Sequence, residues 1–559
     1  MRAVREEGPA GGARRVCPAM CPAHVPAVTF RRRRPAAGNA RTRVPGGPRI
    51  GYDLSVSPPS PRPAAVFADP AGSALLTDLY QLTMAYGYWH AGRAEREAAF
   101  HLYYRTAPFG GGYAVACGLD AAADYLAGFR FADDDCAYLA ELLGADGRPL
   151  FPEAFLRYLA ELRLALDVDM VAEGETVFPT VPLVRVRGPI LHAQLVETAL
   201  LTHVGFPTLV ATKAARVCGA ARSGLPGGDE VLEFGLRRAQ GPDGGLTASR
   251  AAYVGGAAAT SNVLAGRRYG IPVRGTHAHS WVMSFDSEPE AFAAYAAALP
   301  GNCVFLVDTY DTLDGVRHAV AAGRALRAAG HRLLGVRLDS GDLAYLSREA
   351  RRLLDEGGFP DARVLASNDL DEHLVESLKQ QGAAVTVWGV GTRLVTADGA
   401  GALGCVYKLT AARGEDGAWQ PRVKVSEQAA KTTTPGVLQA RRYLDADGRP
   451  AGDMLVDELA PPAAGAVTMV DPLDPTRRKR FAGDARYEAL LGAVFRGGAR
   501  VRAAVPVAEA RARARAGVGR LHEGVRRLAN PHRYPVGLER GLYDRRTALV
   551  LAARGEDDV

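Results

Sequence analysis

The sequence predicts an α/β protein centred on a parallel sheet, and it favours a barrel over an open nucleotide-binding sheet. Between residues 303 and 392, apolar segments of strand length alternate with helical patterns across short loops. Polar or glycine residues follow each apolar segment, as they do at the ligand-binding edge of barrels and open parallel sheets. No Gly-x-Gly-x-x-Gly follows an early strand, and its absence favours the barrel.

Four strand units carry this prediction, in chain order. The predicted strands are Cys303–Val307, Leu333–Leu338, Arg363–Ala366 and Val385–Trp388. Helical patterns separate them, running to Gly330, to Asp355 and over Glu372–Gln381. The strands are followed by Asp308-Thr-Tyr-Asp311, Asp339-Ser-Gly-Asp342, Ser367-Asn368-Asp369 and Gly389-Val-Gly391-Thr392. Because the carboxyl ends of parallel strands share one edge, we expect these groups to form one site for a polyhydroxylated, phosphorylated ligand.

The flanking regions are predicted from the same periodicities. A helix begins after Ala74, with Thr77 placed to cap it and Gly92 placed to end it. The remaining segments are 97–119 as strand and turn, 120–167 as helix, 181–187 as strand, 191–220 as helix, 400–470 as mostly β, and 505–528 as an Arg/Ala-rich helix. These assignments divide the ordered chain into a domain over 74–190, a barrel over 191–410 and a mixed C-terminal segment over 411–559.

The first 70 residues form a tail of different composition. They hold 12 Arg, no Lys, 4 acidic residues and 12 of the 35 prolines. A segment with so little apolar pattern cannot bury enough surface to offset its ordering entropy, so it is predicted to be disordered. The tail carries +8 and the whole chain +7, so the body carries −1. The body therefore has no basic excess that would indicate nucleic-acid binding.

Cysteine usage and hydropathy indicate the compartment. Seven cysteines are dispersed along the chain, an odd number without the spacing of a disulfide framework. No apolar run reaches the length of a membrane span. We therefore expect a cytoplasmic protein that binds neither a membrane nor nucleic acid.

The segment Gly275-Thr-His-Ala-His279-Ser280 follows the apolar stretch Ile271–Val273. Two histidines spaced as His-x-His on a strand point to the same side, as packed partners or as zinc ligands. A zinc site needs further histidines at other strand ends, and the later strand ends supply none. The packed pair is therefore favoured over the zinc site.

Three further patterns suit an anionic, hydroxyl-rich ligand. Arg237 and Arg238 lie beside a glycine-rich turn, and guanidinium groups bind carboxylate or phosphate in a bidentate way. Aspartates at strand ends bind ribose hydroxyls or Mg²⁺, or else cap helices. Exposed amides in Gly389–Thr392 can cradle a phosphate, although such a sequence also forms ordinary turns.

Taken together, the motifs resemble those of the nicotinate phosphoribosyltransferase family. The resemblance covers residues 74 to 550 and is carried, in order, by Leu76–Met84, Pro108–Gly112, Glu233–Gln240, Gly275–Ser280, Gly335–Asp342, Ser367–Asp369, Gly389–Thr392, Gly404–Lys408, Lys431–Gly436 and Asn530–Tyr534. It implies an irregular, TIM-like α/β barrel with a smaller N-terminal α/β domain. It also implies a homodimeric, ATP-coupled enzyme, classed as a ligase, that makes nicotinate mononucleotide for NAD salvage from nicotinate and phosphoribosyl pyrophosphate.

The resemblance also implies roles for individual residues. His279 would be phosphorylated by ATP, and Tyr80 would stack on the pyridine ring from the partner subunit. Arg237 would meet the nicotinate carboxylate, while Arg337 and Asp339 would contact phosphoribosyl pyrophosphate. Further substrate contacts are expected at Arg105, Ser280, Asp308, Asn368, Gly389, Gly391 and Thr392. Mg²⁺ is expected near Asp339 and Asp342.

Two alternatives remain open from the sequence. Nicotinamide phosphoribosyltransferase is the nearest, because Glu233 lies close to Arg237 and could accept from an amide. The arginine pair favours the acid. A non-catalytic homologue is the other alternative, although His279, Arg337 and Asp339 are all present.

Overall fold

The computed structural model describes residues 73–222 and 228–555 of the chain. The predicted tail over residues 1–70 lies outside them. Three large sheets and the helices between them make up a mixed α/β fold. In the described ranges, no helix is both long and apolar enough to cross a membrane.

The helices alternate with strands through the middle of the chain and flank it at both ends. In chain order they are α1 (Leu79–His90), α2 (Leu119–Gly128), α3 (Asp133–Glu141), α4 (Glu153–Glu161), α5 (Ile190–Leu195), α6 (Glu197–Arg222), α7 (Gly241–Val254), α8 (Val263–Tyr269), α9 (His279–Met283), α10 (Glu288–Ala298), α11 (Thr312–Ala328), α12 (Leu343–Glu356), α13 (Glu372–Gln380), α14 (Thr392–Val395), α15 (Val507–Arg520), α16 (Glu523–Arg526) and α17 (Arg540–Arg554).

The strands fall into the three large sheets and one small pair. In chain order they are β1 (Glu97–Tyr104), β2 (Ala114–Val115), β3 (Asp167–Met170), β4 (Thr176–Val177), β5 (Val184–Pro189), β6 (Glu230–Glu233), β7 (Ala259–Thr260), β8 (Val304–Leu306), β9 (Gly335–Leu338), β10 (Arg363–Ala366), β11 (Val387–Val390), β12 (Cys405–Arg413), β13 (Trp419–Pro421), β14 (Leu438–Leu444), β15 (Pro450–Asp457), β16 (Val467–Val470), β17 (Arg478–Phe481), β18 (Tyr487–Ala489), β19 (Gly492–Arg496), β20 (Ala499–Arg500) and β21 (Val536–Glu539).

The parallel sheet predicted from residues 303–392 is present, with two earlier strands added to it. Its order is β7-β6-β11-β10-β9-β8, and every pairing is parallel. A parallel bridge from Thr260 to Val273 continues it beyond β7. Among the described strands no pairing joins Val273 to β8, so the sheet is open there. A parallel α/β sheet is thus confirmed, whereas a fully closed ring of strands is not observed.

An antiparallel sheet collects strands from distant parts of the chain. Its order is β13-β12-β1-β5-β3-β19-β20. The long strand β12 pairs with β1 across some 300 residues of sequence, and residue 410, the predicted end of the barrel segment, lies inside it. The third sheet, β17-β16-β21-β15-β14-β18, is built from residues 438–539.

The first helix starts one residue later than its predicted cap implies. Asp78 is the N-cap of α1, so the prediction of Thr77 was wrong. The Thr77 hydroxyl instead donates to the side chain of Gln81 at 3.0 Å, and that same side chain accepts from the Asp78 amide at 2.8 Å. Gly92 follows the helix with φ +66°, a left-handed conformation that suits its predicted position at the helix end.

A buried carboxylate, Glu173, fixes the start of α2. Its two oxygens accept from the backbone amides of Gly118, Leu119 and Asp120 at 2.8–3.1 Å. Arg250 donates to it at 2.5 Å. Burial alone would raise the pKa of Glu173, but Arg250 and the amides outweigh burial and hold that pKa below its ordinary value. The carboxylate therefore satisfies the first amides of α2 and joins α2 to α7.

We expect Glu173→Gln to lower the free energy of unfolding by about 3 kcal/mol at pH 7, because it leaves the Arg250 guanidinium buried without its counter-charge. Chemical denaturation measures this loss. Glu153→Gln is the matched control, because Glu153 is 87% exposed and lies only near Arg157. At a pH above the pKa that Glu173 has in the unfolded chain, the ionised carboxylate stabilises the fold. This stabilisation is lost as the pH falls through the lower pKa that Glu173 has in the folded protein. The difference between wild type and variant should therefore shrink below about pH 4. A difference that grows in acid would contradict this account.

Candidate active site at the carboxyl edge of the parallel sheet

Five side chains converge where β8, β9 and β10 end. Arg337 lies on β9, Asp339 follows β9, Asp308 follows β8, and Ser367 follows β10. His279, the first residue of α9, faces the same point. We call these five residues the strand-end network. Asp308, Asp339 and Ser367 come from the predicted strand ends. Arg337 lies within the predicted strand Leu333–Leu338, and His279 comes from the Gly275–Ser280 motif.

Arg337 is the hub of the strand-end network. Its Nε donates to Ser367 at 2.8 Å, and its two terminal nitrogens donate to Thr276 and Asp339, each at 3.0 Å. The guanidinium carbon lies 5.7 Å from the ring centre of Phe234, within cation–π distance. The side chain is only 13% exposed. These contacts fix the plane of the guanidinium, as bidentate recognition of an anion requires.

Asp308 connects the loop after β8 to the loop after β9. Its Oδ2 accepts from the Asp339 amide at 2.8 Å and from the Ser340 hydroxyl at 2.6 Å. Its Oδ1 is buried and has no hydrogen-bond partner among the described residues. A buried carboxylate oxygen without a donor is costly, so the site leaves room for a cation or a proton donor at this atom.

The two histidines of the Gly275–Ser280 motif face different surroundings, contrary to the prediction that they share one side of a strand. His277 is buried, its Nε2 accepts from the Leu306 amide at 3.2 Å, and its ring lies against Tyr295. Burial lowers the pKa of His277, and the charge of Arg337 acts in the same direction. The backbone turns from coil into α9 between the two residues, so strand alternation does not apply.

His279 lies beside two carboxylates. Its Nε2 is 3.8 Å from Asp339 and 4.0 Å from Asp308, while its Nδ1 is 3.1 Å from the Thr309 hydroxyl. The side chain is 39% exposed. The ring is thus oriented from one side by Thr309, and its second nitrogen remains open to a ligand.

Phe234 is a site residue that no sequence pattern predicted individually. It follows β6, its ring is half-buried, and Arg337 lies over it. Gly389, predicted to lie in a phosphate-binding turn, instead lies within β11, because that strand runs on to Val390. A Cβ at Gly389 would lie 2.8 Å from the Phe234 ring. The sequence signal was therefore a glycine that makes space for an aromatic ring.

Glu233 is turned away from the strand-end network. It is fully buried, accepts from the Gly235 amide, and accepts from Ser249 and Thr260 at 2.8 and 2.5 Å. Both carboxylate oxygens are therefore used inside the protein. The sequence alternative in which Glu233 receives a substrate amide finds no support in this arrangement.

The remaining loops at this edge are shaped by their backbones. Asn368 and Asp369 have φ of +94° and +40°, a left-handed conformation that non-glycine residues adopt at some cost. Gly391 caps the short helix α14, which begins at Thr392. Asp342 accepts from the Tyr345 amide at 3.0 Å and caps α12. In the described ranges no group of three or more His, Cys, Asp or Glu is placed to hold a metal ion by itself.

Four of the predicted substrate residues lie apart from the strand-end network or make no contact with it. Ser280 and Arg237 are exposed near the same edge. Tyr80, on α1, is 46% exposed. Arg105 follows β1 and lines a cavity between the antiparallel sheet and the third sheet. No hydrogen bond, ion pair or ring contact among the described residues joins Tyr80 or Arg105 to the strand-end network.

Comparison with family models covers nearly all of the described chain. The nicotinate phosphoribosyltransferase (NAPRTase) N-terminal domain matches residues 75–205. The nicotinate phosphoribosyltransferase (NAPRTase) family matches residues 230–442, and the corresponding C-terminal domain matches residues 439–546. The three matches follow one another in the order of the predicted motifs.

Individual relatives agree with the family models. The nicotinate phosphoribosyltransferase of Bacillus subtilis (strain 168) is 48% identical over 375 residues, which are 66% of this chain and 73% of the relative. The Homo sapiens nicotinate phosphoribosyltransferase is 39% identical over 530 residues, covering 84% of this chain and 96% of the relative.

Solved structures share the fold. The crystal structure of human nicotinic acid phosphoribosyltransferase superposes with a TM-score of 0.73 at 36% identity, over 85% of this chain and 99% of that one. Nicotinate-nucleotide pyrophosphorylase from Pyrococcus furiosus, at 20% identity and a TM-score of 0.61 over 82% and 99%, shares the fold alone. The resemblance predicted from the motifs is confirmed, and this chain belongs to the nicotinate phosphoribosyltransferase family.

Proposed function

We propose that this chain joins nicotinate to the phosphoribosyl group of phosphoribosyl pyrophosphate and couples the reaction to ATP hydrolysis, in NAD salvage. The observation that carries the proposal is the strand-end network, in which Arg337, Asp308, Asp339 and His279 meet at one edge of a parallel sheet. It occurs in a chain that belongs to this family by sequence and by fold.

The reaction forms a bond between the pyridine nitrogen and the ribose anomeric carbon while the bond to pyrophosphate breaks. Negative charge therefore develops on the leaving group. Arg337, held rigid by Ser367, Thr276 and Asp339, is the group that meets this charge, and its orientation does not have to be organised during the reaction. The amides around Gly391 and Thr392 and the loop at Asn368 are the proposed contacts for the remaining phosphate and ribose groups.

The site fits Mg²⁺ at Asp308 and Asp339. Mg²⁺ is commonly held by one or two carboxylates together with substrate phosphates, and the unpartnered Oδ1 of Asp308 supplies such a ligand. When bound, the ion would neutralise charge on the leaving pyrophosphate. Asp342 is the weaker candidate, because it already caps α12.

His279 is the proposed acceptor of the ATP γ-phosphoryl group. The Thr309 hydroxyl is bonded at Nδ1, so Nε2 is the nitrogen that attacks phosphorus, and ADP leaves. Water later hydrolyses the phosphohistidine and releases inorganic phosphate. The phosphoryl group would lie beside Asp308 and Asp339, where its charge helps to organise the pyrophosphate site.

Selection of the acid over the amide follows from the charges near Phe234. A planar pyridine ring on Phe234 would bring its substituent near Arg337, and Arg237 is exposed on the turn after β6. Both are cations, whereas Glu233 is fully engaged inside the protein. A carboxylate substituent is therefore favoured over a carboxamide.

A second copy of the chain would complete the site. Tyr80 is exposed on α1 together with Leu79 and Met84, which are 53% and 38% exposed. An exposed apolar helix face with an aromatic residue is suited to packing on another copy. In a homodimer, Tyr80 of one copy would cover the pyridine ring held by the other. We further propose that the parallel sheet is part of an irregular barrel, because its strand order is cyclic along the chain. A cytoplasmic location stays a prediction from the sequence.

With phosphoribosyl pyrophosphate, Mg²⁺ and ATP, we expect mononucleotide from nicotinate and little from nicotinamide, because the groups proposed to meet the ring substituent, Arg237 and Arg337, are cations. Chromatographic detection of the two mononucleotides in parallel reactions measures this. Product from nicotinamide alone would overturn the acid selectivity. Product from neither base would indicate the non-catalytic homologue.

We expect His279→Ala to abolish stimulation by ATP while ATP-independent product formation persists, because the transfer chemistry at Arg337 does not use the imidazole. Initial rates with and without ATP give the stimulation ratio, which should fall to about one if the phosphoryl acceptor is lost. His373→Ala, at an exposed position on α13, should keep the wild-type ratio. Equal stimulation in wild type and His279→Ala would refute the role of His279.

We expect Arg337→Lys to lower kcat/KM for phosphoribosyl pyrophosphate by about 100-fold, because an ammonium cannot reproduce the fixed fork held by Ser367, Thr276 and Asp339. Arg332→Lys, which makes the same substitution at an exposed residue before β9, should be neutral. A fall of less than about threefold in Arg337→Lys would show that only the positive charge is needed.

A further inference from the structure

A cavity of about 250 Å³ lies between the antiparallel sheet and the third sheet, apart from the strand-end network. Its walls come from β1 and β12 on one side and from β14, β15 and β21 on the other. Phe178 and Tyr534, whose rings stack with centres 3.7 Å apart, line the apolar part of the wall. The cavity is large enough for a small polyatomic anion.

Two guanidinium groups in this cavity have no counter-charge. Arg105 forms no ion pair within the described residues, and its Nε is buried without a hydrogen-bond partner. Arg546, which is 9% exposed, donates only to the backbone carbonyls of Thr432 and Thr433, each at 3.2 Å. Asp471 is the single carboxylate among the described lining residues, and Arg533 already pairs with it at 3.0 Å.

Tyr103 lines the same cavity as Arg105 and Arg546. Burial raises the pKa of Tyr103, and the charges of Arg105 and Arg546 oppose that rise. Tyr103 remains a neutral donor at physiological pH. The side chains of Thr432 and Thr434 also line the cavity and add hydroxyl groups.

We infer that this cavity binds a phosphate-type anion between Arg105 and Arg546, with Tyr103 as a neutral donor. Burying a guanidinium without a counter-charge is unfavourable, and natural proteins offset that cost with a carboxylate or a bound anion. The other buried arginines of residues 73–222 and 228–555 have carboxylates, as Arg442 has Asp453 at 2.8 Å. Phosphate and pyrophosphate offer oxygens on several sides, which suits donors that approach from both sheets.

The anion has two sources, and they make different predictions. It is either a free phosphate or pyrophosphate that binds from solution, or a phosphate group of substrate held by a second copy of the chain. Binding of the free anion does not depend on the proposed enzymatic activity, so it can be tested even if that activity is absent.

The first experiment titrates the full-length chain with inorganic phosphate, and separately with pyrophosphate, by calorimetry in phosphate-free buffer. Arg546→Gln should weaken binding at this site by at least about tenfold, since it removes a charged hydrogen-bond donor. Arg554→Gln removes the same charge from an exposed position on the same helix and should leave binding unchanged. Arg337→Lys should also retain this binding event, because it alters only the strand-end network.

Tyr103→Phe provides a second variant if Arg546→Gln does not fold, because it removes one hydroxyl and keeps the ring. We expect a weakening of about threefold or more. Phosphate and pyrophosphate affinities that are the same in wild type, Arg546→Gln and Tyr103→Phe would overturn the inference. Loss of all phosphate and pyrophosphate binding in Arg337→Lys would overturn it as well.

The KM for phosphoribosyl pyrophosphate distinguishes the two sources. If the cavity takes a free anion, Arg546→Gln weakens phosphate binding and leaves this KM unchanged. If it takes a phosphate group of substrate from a second copy, the same variant raises the KM by a factor similar to the loss of phosphate affinity. Either result supports an anion site in the cavity.

Discussion

The guanidinium of Arg337 holds the carboxyl edge of the parallel sheet together. It bonds to the loops that follow β9 and β10 and to the loop that precedes α9, and it lies over the ring that follows β6. Parallel pairing places these strand ends at one edge, but it does not fix the loops beyond them. The Arg337 guanidinium makes that connection, because its five N–H donors lie in one plane and can bond to several acceptors at once.

The charges at this edge are unbalanced in a way that determines its chemistry. Asp308 and Asp339 both lie within 4.0 Å of His279. The cationic side chain beside them, Arg337, is already paired with Asp339. A phosphorylated substrate would meet two carboxylates there unless a cation accompanied it. The unpartnered oxygen of Asp308 therefore has a physical use if Mg²⁺ arrives with the substrate phosphates.

The local parts of this site could be predicted from the sequence, and the contacts between distant parts could not. The bounds of β10 agree with the predicted Arg363–Ala366, because a buried parallel strand is a short apolar run with clear ends. Strand β11 was placed two residues early, since Gly389 resembles a turn residue. Gly389 instead leaves space for the Phe234 ring. That contact depends on the pairing of β11 with β6, which lies about 150 residues earlier in the sequence.

Other differences have the same origin. The His-x-His pattern was interpreted with strand periodicity, but a turn into α9 sends His277 into the core and His279 to the site. The pairing of β12 with β1 and the burial of Glu233 depend on contacts between residues far apart in sequence. No periodicity encodes which of two neighbouring ionisable residues, such as Glu233 and Arg237, is buried and which is exposed.

The distribution of ion pairs separates structural charges from ligand-binding ones. Arg442 with Asp453, and Arg185 with Asp169, are buried pairs in which each charge has its partner at 2.8–2.9 Å. Asp308 in the strand-end network has a carboxylate oxygen without a donor, and the cavity between the sheets has guanidinium groups without a carboxylate. Glu288 and Glu372 also have an unpartnered oxygen, but their charges are paired with His318 at 2.8 Å and Lys213 at 2.6 Å. The uncompensated charges have opposite signs, so the ligands proposed for the two sites differ: a cation with substrate phosphates at one and an anion at the other. The other buried arginines of the described residues are neutralised by carboxylates, so these two places are the ones that a bound ligand would complete.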